Sequence, residues 1–228
     1  MIRIDIISAV PELIISPLNT SIIKRSQQKE KVEIYIHNLR DYAFDKHRMI
    51  DDRPFGGEPG MVLKPEPFFE CIGKLKSERK YEEIIFPSPK GKLFNQADAN
   101  KLSLCKNLLF VAGHYKGIDE RVVETFATAE YSIGNFILSG GELPALIIID
   151  AIIRVIPGVL NDSESALNDS FQDGEMIAAP TYTRPAEYNG QRVPDILLTG
   201  NHGEIKKWKQ EQSKELTKNW KRINKISE

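Results

Sequence analysis

The residues with the clearest chemical potential lie where an apolar, strand-like stretch meets an apolar helix. Residues 132–145 read SIGNFILSGGELPA and continue directly into LIIIDAIIR. A glycine pair at such a junction lets the backbone approach a ligand or a neighbouring strand closely, and a helix N-terminus can bind an anion. Phosphate loops also supply a lysine, but no Lys or Arg lies between Ser132 and Ile153. The stretch therefore favours a neutral or cationic ligand held by backbone groups, with a tight structural turn as the alternative.

The start of the following helix carries a local pattern of its own. Ser139 and Glu142 have the S-x-x-E spacing of a capping box. Pro144 then falls in the first helical turn, where its missing N–H costs little. The pattern predicts that the Ser139 side chain caps this helix and that the Glu142 side chain accepts a hydrogen bond from the backbone N–H of Ser139.

A glycine-rich loop and two charged residues each support a functional and a structural interpretation. The loop DDRPFGGEPGMV (51–62) is typical of a substrate-holding loop and equally of a hairpin turn. Arg154 follows Asp150 by four residues, so an i,i+4 ion pair is the alternative to a catalytic role. Asp169 lies in an acidic segment, where a solvated carboxylate is the ordinary expectation. The four histidines are scattered, and the sequence assigns none of them a role.

Short β-branched runs alternate with helical patterns from the N-terminus onwards. The strand-like runs are IRIDIIS, VEIYIHN, EEIIFPS, NLLFVAG and AEYSIGNFIL, and the helical ones are LNTSIIKRSQQ, PEPFFECIGKLKSER, NQADANKLSL, IDERVVETF and GELPALIIIDAIIRVI. This alternation predicts an α/β domain with a mainly parallel sheet covered by helices. Ligands of such sheets bind at the carboxyl ends of strands, which singles out the loops 86–91 and 112–121 and the glycine-bearing stretch.

The composition changes after residue 160. Residues 161–175 carry five acids and no base and lack periodicity, which is typical of a flexible linker. Residues 205–225 carry eight Lys or Arg against two acids, with Trp208 and Trp220 interleaved. Such a helix can face a nucleic acid, although a solvated amphipathic helix explains the same charges. We predict a first domain over 1–160, a linker over 161–175 and a small, mostly helical domain over 176–228.

Composition also limits the class of protein. With 228 residues, a net charge of −1, 41% hydrophobic and 28% charged residues, the chain resembles an ordinary soluble globular protein. No apolar run approaches the roughly 20 residues of a membrane span, and MIRIDIISAVPEL indicates a first strand rather than a signal peptide. Cys71 and Cys105 show neither disulfide nor zinc spacing. These features predict a cytoplasmic protein.

Six longer segments follow one another along nearly the whole chain. They are DDRPFGGEPGMV, AGHYKGIDERV, SIGNFILSGGELPALIIIDAIIRVIPGVL, SALNDSF, PTYTRPAEYNGQRVPDILLTGNH and IKKWKQEQS. In this order they resemble the bacterial tRNA (guanine-N1)-methyltransferases, a TrmD-type family of the knotted SPOUT class. The resemblance implies methylation of N1 of the guanosine just 3′ of the anticodon, position 37. It also implies a parallel sheet threaded into a deep trefoil knot with helices on both faces, and a homodimer whose active site lies at the subunit interface.

The resemblance further implies that S-adenosylmethionine binds bent within the knot, held mainly by backbone groups. The matching positions are Pro87, Ser88, Pro89, Gly113, Tyr115, Lys116, Ser132, Ile133, Gly134, Asn135, Phe136, Ile137, Leu138, Gly140, Gly141 and Pro144.

The resemblance gives catalytic roles to two residues. Asp169, in NDSF, matches the general base that takes the N1 proton of guanine. Arg154 matches the residue that stabilises the negative charge developing on guanine O6. The basic C-terminal domain would hold the anticodon stem and loop of the tRNA by its phosphates.

Three positions depart from the family pattern. Lys116 stands where many members have glutamate, and Asn135 replaces the commoner aspartate. Both would lie near the methionine part of the cofactor or near the metal that some members use, so the loss of two carboxylates argues against Mg²⁺. We keep Mg²⁺ as a possible second cofactor and assign no residue as a metal ligand. Glu58 takes a usual glycine position in the loop that would meet the tRNA.

Two other functions remain compatible with these residues. One is a non-catalytic tRNA-binding relative that has lost cofactor chemistry through Lys116 and Asn135. The other is a SPOUT methyltransferase for another RNA position, such as a ribose 2′-hydroxyl. The presence of Asp169 and Arg154 argues against the first, and the NDSF base together with the C-terminal domain argues against the second.

Overall fold

A computed structural model describes residues 1–160, 169–172 and 174–225. The chain divides into two compact units, with the division between residues 161 and 162. The predicted linker over 161–175 lies mostly outside the described residues, and the proposed domain limits stay a prediction. None of the helices in the described ranges is long and apolar enough to cross a membrane.

The first unit contains a five-stranded, wholly parallel sheet in the order β2-β1-β6-β5-β7. Its strands are β1 (Ile2–Ser8), β2 (Val32–Asn38), β5 (Glu83–Leu93), β6 (Asn107–Val111) and β7 (Ala129–Ser132). Its helices are α1 (Glu12–Leu18), α2 (Ser21–Gln28), α3 (Pro65–Glu78), α4 (Gln96–Leu102), α5 (Glu120–Phe126) and α6 (Glu142–Val155). A 3-10 turn (Leu39–Tyr42) and a small antiparallel hairpin of β3 (Asp51–Asp52) with β4 (Val62–Leu63) complete it.

Helices cover both faces of this sheet. One core joins β1, β5 and β6 to α1, α2, α4 and α6, and its deepest side chains include Ile4, Phe110 and Ile149. The other core lies on the opposite face, against α3 and α5, and includes Phe68 and Phe86. Successive side chains of a strand point to opposite faces, so the nearly continuous apolar runs of the central strands supply both cores. The predicted α/β fold with helices on both faces is confirmed, whereas the knotted path stays a prediction.

Two parts of the sequence interpretation are wrong. The predicted strand over AEYSIGNFIL ends at Ser132 instead of continuing to Leu138. The Ser132 hydroxyl accepts a hydrogen bond from the N–H of Gly134, and Gly134 has a φ of 149°, so the chain turns out of the sheet. Helix α1 was not predicted, because it is short and has Pro17 inside it.

The second unit is built on one long helix. It contains a hairpin of β8 (Glu187–Tyr188) with β9 (Gln191–Arg192), a 3-10 turn (Asp195–Leu198) and α7 (His202–Asn224). The side chain of Asn201 accepts a hydrogen bond from the N–H of Glu204 and caps the start of α7. The helix ends at Asn224, and its C-cap residue Lys225 adopts a left-handed conformation with a φ of 53°.

Candidate active site

A cavity of about 390 Å³ lies beside the carboxyl ends of β6 and β7 and a break in β5. The pairing of β5 with β7 shifts register between Pro87 and Lys92, which pushes the intervening loop out of the ladder. The cavity is lined by Pro87, Ser88, Pro89, Gly113, His114, Tyr115, Lys116, Gly117, Tyr131, Ser132, Ile133, Gly134, Phe136, Ile137, Leu138, Gly140, Gly141 and Pro144.

The structure thus brings the residues predicted for cofactor binding around one cavity, with the exception of Asn135. Asn135 belongs to the same loop as its neighbours but is not among the lining residues. Three lining residues were not predicted, namely His114, Gly117 and Tyr131. The converging loops were the available signal for them, because each of these residues lies in or beside a loop singled out at the strand ends. Their role in binding a cofactor stays a proposal.

The glycine pair allows two cavity loops to meet backbone to backbone. The N–H of Gly141 donates to the carbonyl of Gly113 at 2.6 Å. A Cβ added to Gly141 would lie 3.0 Å from the Gly113 nitrogen and 3.2 Å from the Cα of Ala112. A Cβ added to Gly140 would lie only 2.3 Å from a carboxylate oxygen of Glu142. Side chains are therefore excluded at both positions by close packing, whatever the cavity binds.

The predicted capping box is wrong. Helix α6 begins at Glu142 with Gly141 as its N-cap, and no side chain caps it. Glu142 is instead fully buried, where it accepts a hydrogen bond from the Ser8 hydroxyl at 3.0 Å and lies 3.3 Å from Nδ1 of His114. The local spacing was misleading because partners from β1 and from the loop after β6 bind this carboxylate. Pro144 does lie in the first turn, as predicted.

The glycine-rich segment 51–62 contains β3, the loop of the β3–β4 hairpin and the first residue of β4, and it supports one cavity loop. The N–H of Lys116 donates to the Met61 carbonyl at 3.0 Å, and the N–H of Leu63 donates to the Gly117 carbonyl at 2.9 Å. The ammonium group of Lys116 also forms an ion pair with Glu58. The hairpin interpretation of these glycines is therefore correct. It does not exclude a role in substrate binding, because the same hairpin supports the cavity wall.

An ion pair and a close backbone contact hold the loop at the break in β5, between Pro87 and Lys92. Lys90 forms an ion pair with Glu120, the first residue of α5, and its ammonium lies 3.8 Å from Glu130. The hydrogen bond to Glu120 raises the pKa of Lys90 and keeps it charged. A Cβ on Gly91 would lie 2.5 Å from the Glu130 backbone, so the return of this loop to the sheet requires glycine. The loop is held by charge on one side and by backbone contact on the other.

Comparison with known proteins identifies the family. A sequence profile described as tRNA (Guanine-1)-methyltransferase TrmD matches residues 2–227. The chain belongs to this family. Relatives named tRNA (guanine-N(1)-)-methyltransferase include that of Bacteroides thetaiotaomicron, 56% identical over 216 residues (95% of this chain and 96% of the relative). That of Azobacteroides pseudotrichonymphae is 56% identical over 95% of this chain and 97% of the relative. That of Chlorobaculum tepidum is 51% identical over 94% of this chain and 93% of the relative.

Arg154, which the TrmD-type resemblance implicates in catalysis, lies in the last turn of α6 and is exposed. Leu143 and Ile147 are also exposed on this helix. Their spacings of four and seven residues place all three on one helix face. Arg154 therefore projects from a helix face of the first unit that carries two exposed apolar side chains as well as Asp150.

Asp169, the residue matched to the general base, lies at the start of a short described segment of the second unit and is exposed. Within this unit the segment is held by Phe171, whose N–H donates to the Met176 carbonyl at 2.7 Å. The Phe171 ring also contacts Trp220 edge to face, with 5.3 Å between centroids. Trp220, which is interleaved with the basic residues of the C-terminal helix, thus packs its ring against the segment that carries Asp169.

The donor groups at the cavity do not fit a magnesium site. Mg²⁺ prefers oxygen ligands, usually carboxylates and waters, and none of the residues that line the cavity is Asp or Glu. Lys116 contributes a positive charge there instead. Among the described residues there is also no group of three or more His, Cys, Asp or Glu side chains that could hold a metal.

Proposed function

We propose that this chain methylates N1 of guanosine 37 in tRNA, in the cytoplasm, using S-adenosylmethionine as the methyl donor. S-adenosylmethionine is the general donor of methyltransferase families such as this one. The observation that carries the proposal is the cavity, which joins three loops at the strand ends in a chain that matches the family over residues 2–227. Relatives that are 51–56% identical carry the same activity in their names.

The cavity fits the cofactor in size and in chemistry. Its volume of about 390 Å³ lies within the usual range of ligand pockets, roughly 300–1,000 Å³. Apolar side chains such as Ile133 and Leu138 offer surface to an adenine ring, and the loops of Gly113, Gly140 and Gly141 bring the backbone to the cavity wall. When bound, S-adenosylmethionine supplies an electrophilic methyl group on a sulfonium ion. The protein's part is to orient that group and to exclude water around it.

In the proposed mechanism Asp169 removes the N1 proton of guanine as the methyl group arrives. Loss of this proton moves negative charge onto guanine O6, and Arg154 stabilises it. S-adenosylmethionine would supply the methyl group and leave as a neutral thioether, with N1-methylguanosine as the product and the N1 proton on Asp169. No step passes through a metal, because the cavity residues do not fit Mg²⁺.

We propose that two copies of the chain form a homodimer with the active site at their interface. Ile137 and Phe136, at the cavity, are 81% and 54% exposed, and Ile147 of α6 is 52% exposed. A contiguous exposed apolar surface often marks an interface between proteins. In such a dimer Arg154, on the same face of α6 as Ile147, would serve the shared site.

We propose that α7 binds the anticodon stem and loop. Its exposed cations include Lys206, Lys207, Lys209, Lys214, Lys218 and Arg222. Lysine and arginine that neutralise phosphates release counterions, so the affinity for tRNA is expected to fall steeply with added salt.

Methyl transfer from labelled S-adenosylmethionine to a tRNA transcript with guanosine 37 tests the proposal. We expect incorporation at N1 of that nucleotide and none in a transcript with adenosine 37. Incorporation into a ribose 2′-hydroxyl would instead establish the alternative methyltransferase. Binding of tRNA without cofactor binding or transfer would establish the non-catalytic relative.

The role of Asp169 has a separate test. Asp169→Ala should abolish turnover and leave the dissociation constant of the cofactor nearly unchanged, because the lost group acts only on guanine. Asp195→Ala, in the same unit, is the matched control and should retain turnover. Survival of turnover in Asp169→Ala would contradict the assignment of the base.

A further inference from the structure

A chain of buried polar groups ends at the wall of the cavity. The side chains of Ser8 and Glu142 are both fully buried, and the Ser8 hydroxyl donates to Oε1 of Glu142 at 3.0 Å. The other oxygen, Oε2, lies 3.3 Å from Nδ1 of His114, whose ring lines the cavity. The Ser8 oxygen is itself fixed by the N–H of Val10 at 3.0 Å. The chain thus runs from the end of β1, through the start of α6, to the loop after β6.

Glu142 is an unusual carboxylate because it is buried without a permanent cation. Among the described ion pairs of the molecule its one partner is His114. Burying a carboxylate without an ionic partner is costly. Its position at the first residue of α6, where the helix dipole favours negative charge, offsets only part of that cost. A stability role alone would be served better by an apolar side chain.

The backbone of Gly140 packs closely against this pair. A Cβ on Gly140 would lie 2.3 Å from Oε2 of Glu142 and 2.5 Å from Nδ1 of His114. On its other side the His114 ring packs edge to face against Tyr115, with 5.0 Å between centroids. The imidazole is therefore held by a carboxylate, a glycine and an aromatic ring.

The carboxylate also determines where the imidazole proton lies. A carboxylate accepts hydrogen bonds and cannot donate one. In the neutral imidazole Nδ1 must then carry the proton, and Nε2, on the opposite edge of the ring, becomes an acceptor. An acceptor at a cavity wall suits a ligand that brings hydroxyl or amino groups.

We propose that Ser8 and Glu142 are positioning residues that hold His114 in its Nδ1–H tautomer, so that Nε2 accepts a hydrogen bond from a hydroxyl or amino group of the bound cofactor. The part that concerns the cofactor rests on the proposed function. The part that concerns the tautomer rests on the geometry of the three side chains. The two parts are tested separately.

Nitrogen NMR of the free protein with ¹⁵N-labelled histidine tests the tautomer without any cofactor. The His114 signals, assigned by comparison with His114→Phe and recorded at a pH where the ¹⁵N shifts show a neutral ring, should show a protonated Nδ1 and an unprotonated Nε2. In Glu142→Met, a buried apolar replacement of similar length, this preference should be lost. A protonated Nε2 in the unaltered protein, or an unchanged tautomer in Glu142→Met, would overturn the proposal.

Calorimetric titration with S-adenosylmethionine tests the consequence for binding. Glu142→Met, which leaves no acceptor facing Nδ1–H, should raise the dissociation constant roughly tenfold, the scale of one good hydrogen bond. Asp5→Asn is the matched control, because it removes another fully buried carboxylate that contacts a histidine, His37. This control should bind the cofactor as the unaltered protein does.

A double-mutant cycle separates positioning from a general loss of structure. If Glu142 acts through His114, Glu142→Met should cost almost nothing more in a His114→Phe background. Fully additive losses would overturn the proposal, and so would an unaffected affinity in Glu142→Met. Failure of the unaltered protein to bind the cofactor would instead defeat the proposed function and leave the tautomer measurement as the test of the network.

Discussion

Two fully buried carboxylates in the first unit are satisfied in opposite ways. Asp5, in the middle of β1, accepts four hydrogen bonds: two from Arg3, one from His37 and one from Tyr81. Glu142, beside the cavity, contacts one hydroxyl and one imidazole. Arg3 also stacks on the ring of Tyr35, 3.8 Å from its centroid, which fixes the guanidinium over the sheet. The first carboxylate is saturated by partners that include a permanent cation, whereas the second contacts no Lys or Arg among the described ion pairs.

This difference separates a structural role from a functional one. Burial would raise the pKa of Asp5, but hydrogen bonds from His37, Arg3 and Tyr81 and the charge of Arg3 lower it to about 2. The Asp5 cluster therefore stabilises the folded chain by keeping its charge. Glu142 has no comparable compensation, and its partner His114 lines the cavity. Partly compensated buried charge is more typical of a binding or catalytic site than of a structural core.

The largest effect that this comparison predicts is on folding. Asp5→Asn should lower the free energy of unfolding by about 3 kcal/mol. The new NH₂ group would face hydrogen-bond donors, from which it cannot accept, and Arg3 would lose its carboxylate partner. Urea denaturation of the two proteins measures the change. Cofactor affinity, measured in the folded protein, should not change. A loss of affinity in Asp5→Asn would break the distinction between the two carboxylates.

Gly140→Ala, unlike Asp5→Asn, is expected to lower both the stability of the fold and the affinity for the cofactor. The added Cβ would meet Oε2 of Glu142 and Nδ1 of His114 at less than 3 Å, so the pair must move at a cost of about 2 kcal/mol. Much of this displacement occurs at the cavity wall, and cofactor affinity should fall with stability. Gly73→Ala, within α3, is the matched control. Nothing lies within 4 Å of its added Cβ, so it should stabilise the protein by about 0.5–1 kcal/mol. Retained affinity in Gly140→Ala would contradict the tight packing around His114.

The acid sensitivity of the fold should depend on Asp5. Its folded pKa of about 2 is below the ordinary value of 3.8. Its stabilising contribution is therefore fully present above about pH 4, and it is lost as the pH falls towards 2. This contribution is about 2 kcal/mol. Denaturation between pH 5 and pH 2 should show a shallower loss of stability in Asp5→Asn than in the unaltered protein, and parallel curves would contradict this origin.

The sequence predicts the fold better than it predicts these two sites. β-branched runs and helical periodicity depend on neighbouring residues, so the five strands of the sheet and five of the helices in the first unit were found from local pattern. The family motifs also led to the cavity residues. The hydrogen bond between Ser8 and Glu142 joins residues 134 positions apart. The capping-box spacing of Ser139 and Glu142 predicted a local partner for this carboxylate instead. The partners of Asp5 come from β1, β2 and the segment after α3, which no local pattern relates.

The smallest predicted effect concerns the exposed ion pair between Glu58 and Lys116. Glu58 is at the surface, where water and salt screen the charge. The loop is held by its backbone, since the Lys116 N–H donates to Met61 and the Gly117 carbonyl accepts from Leu63. Glu58→Gln should therefore change cofactor affinity less than about twofold, well below the effect of Glu142→Met. Titration at low and high salt checks this. A tenfold loss at low salt that disappears at high salt would show that surface charge positions the cavity wall, which would reverse the ranking of exposed and buried contacts proposed here.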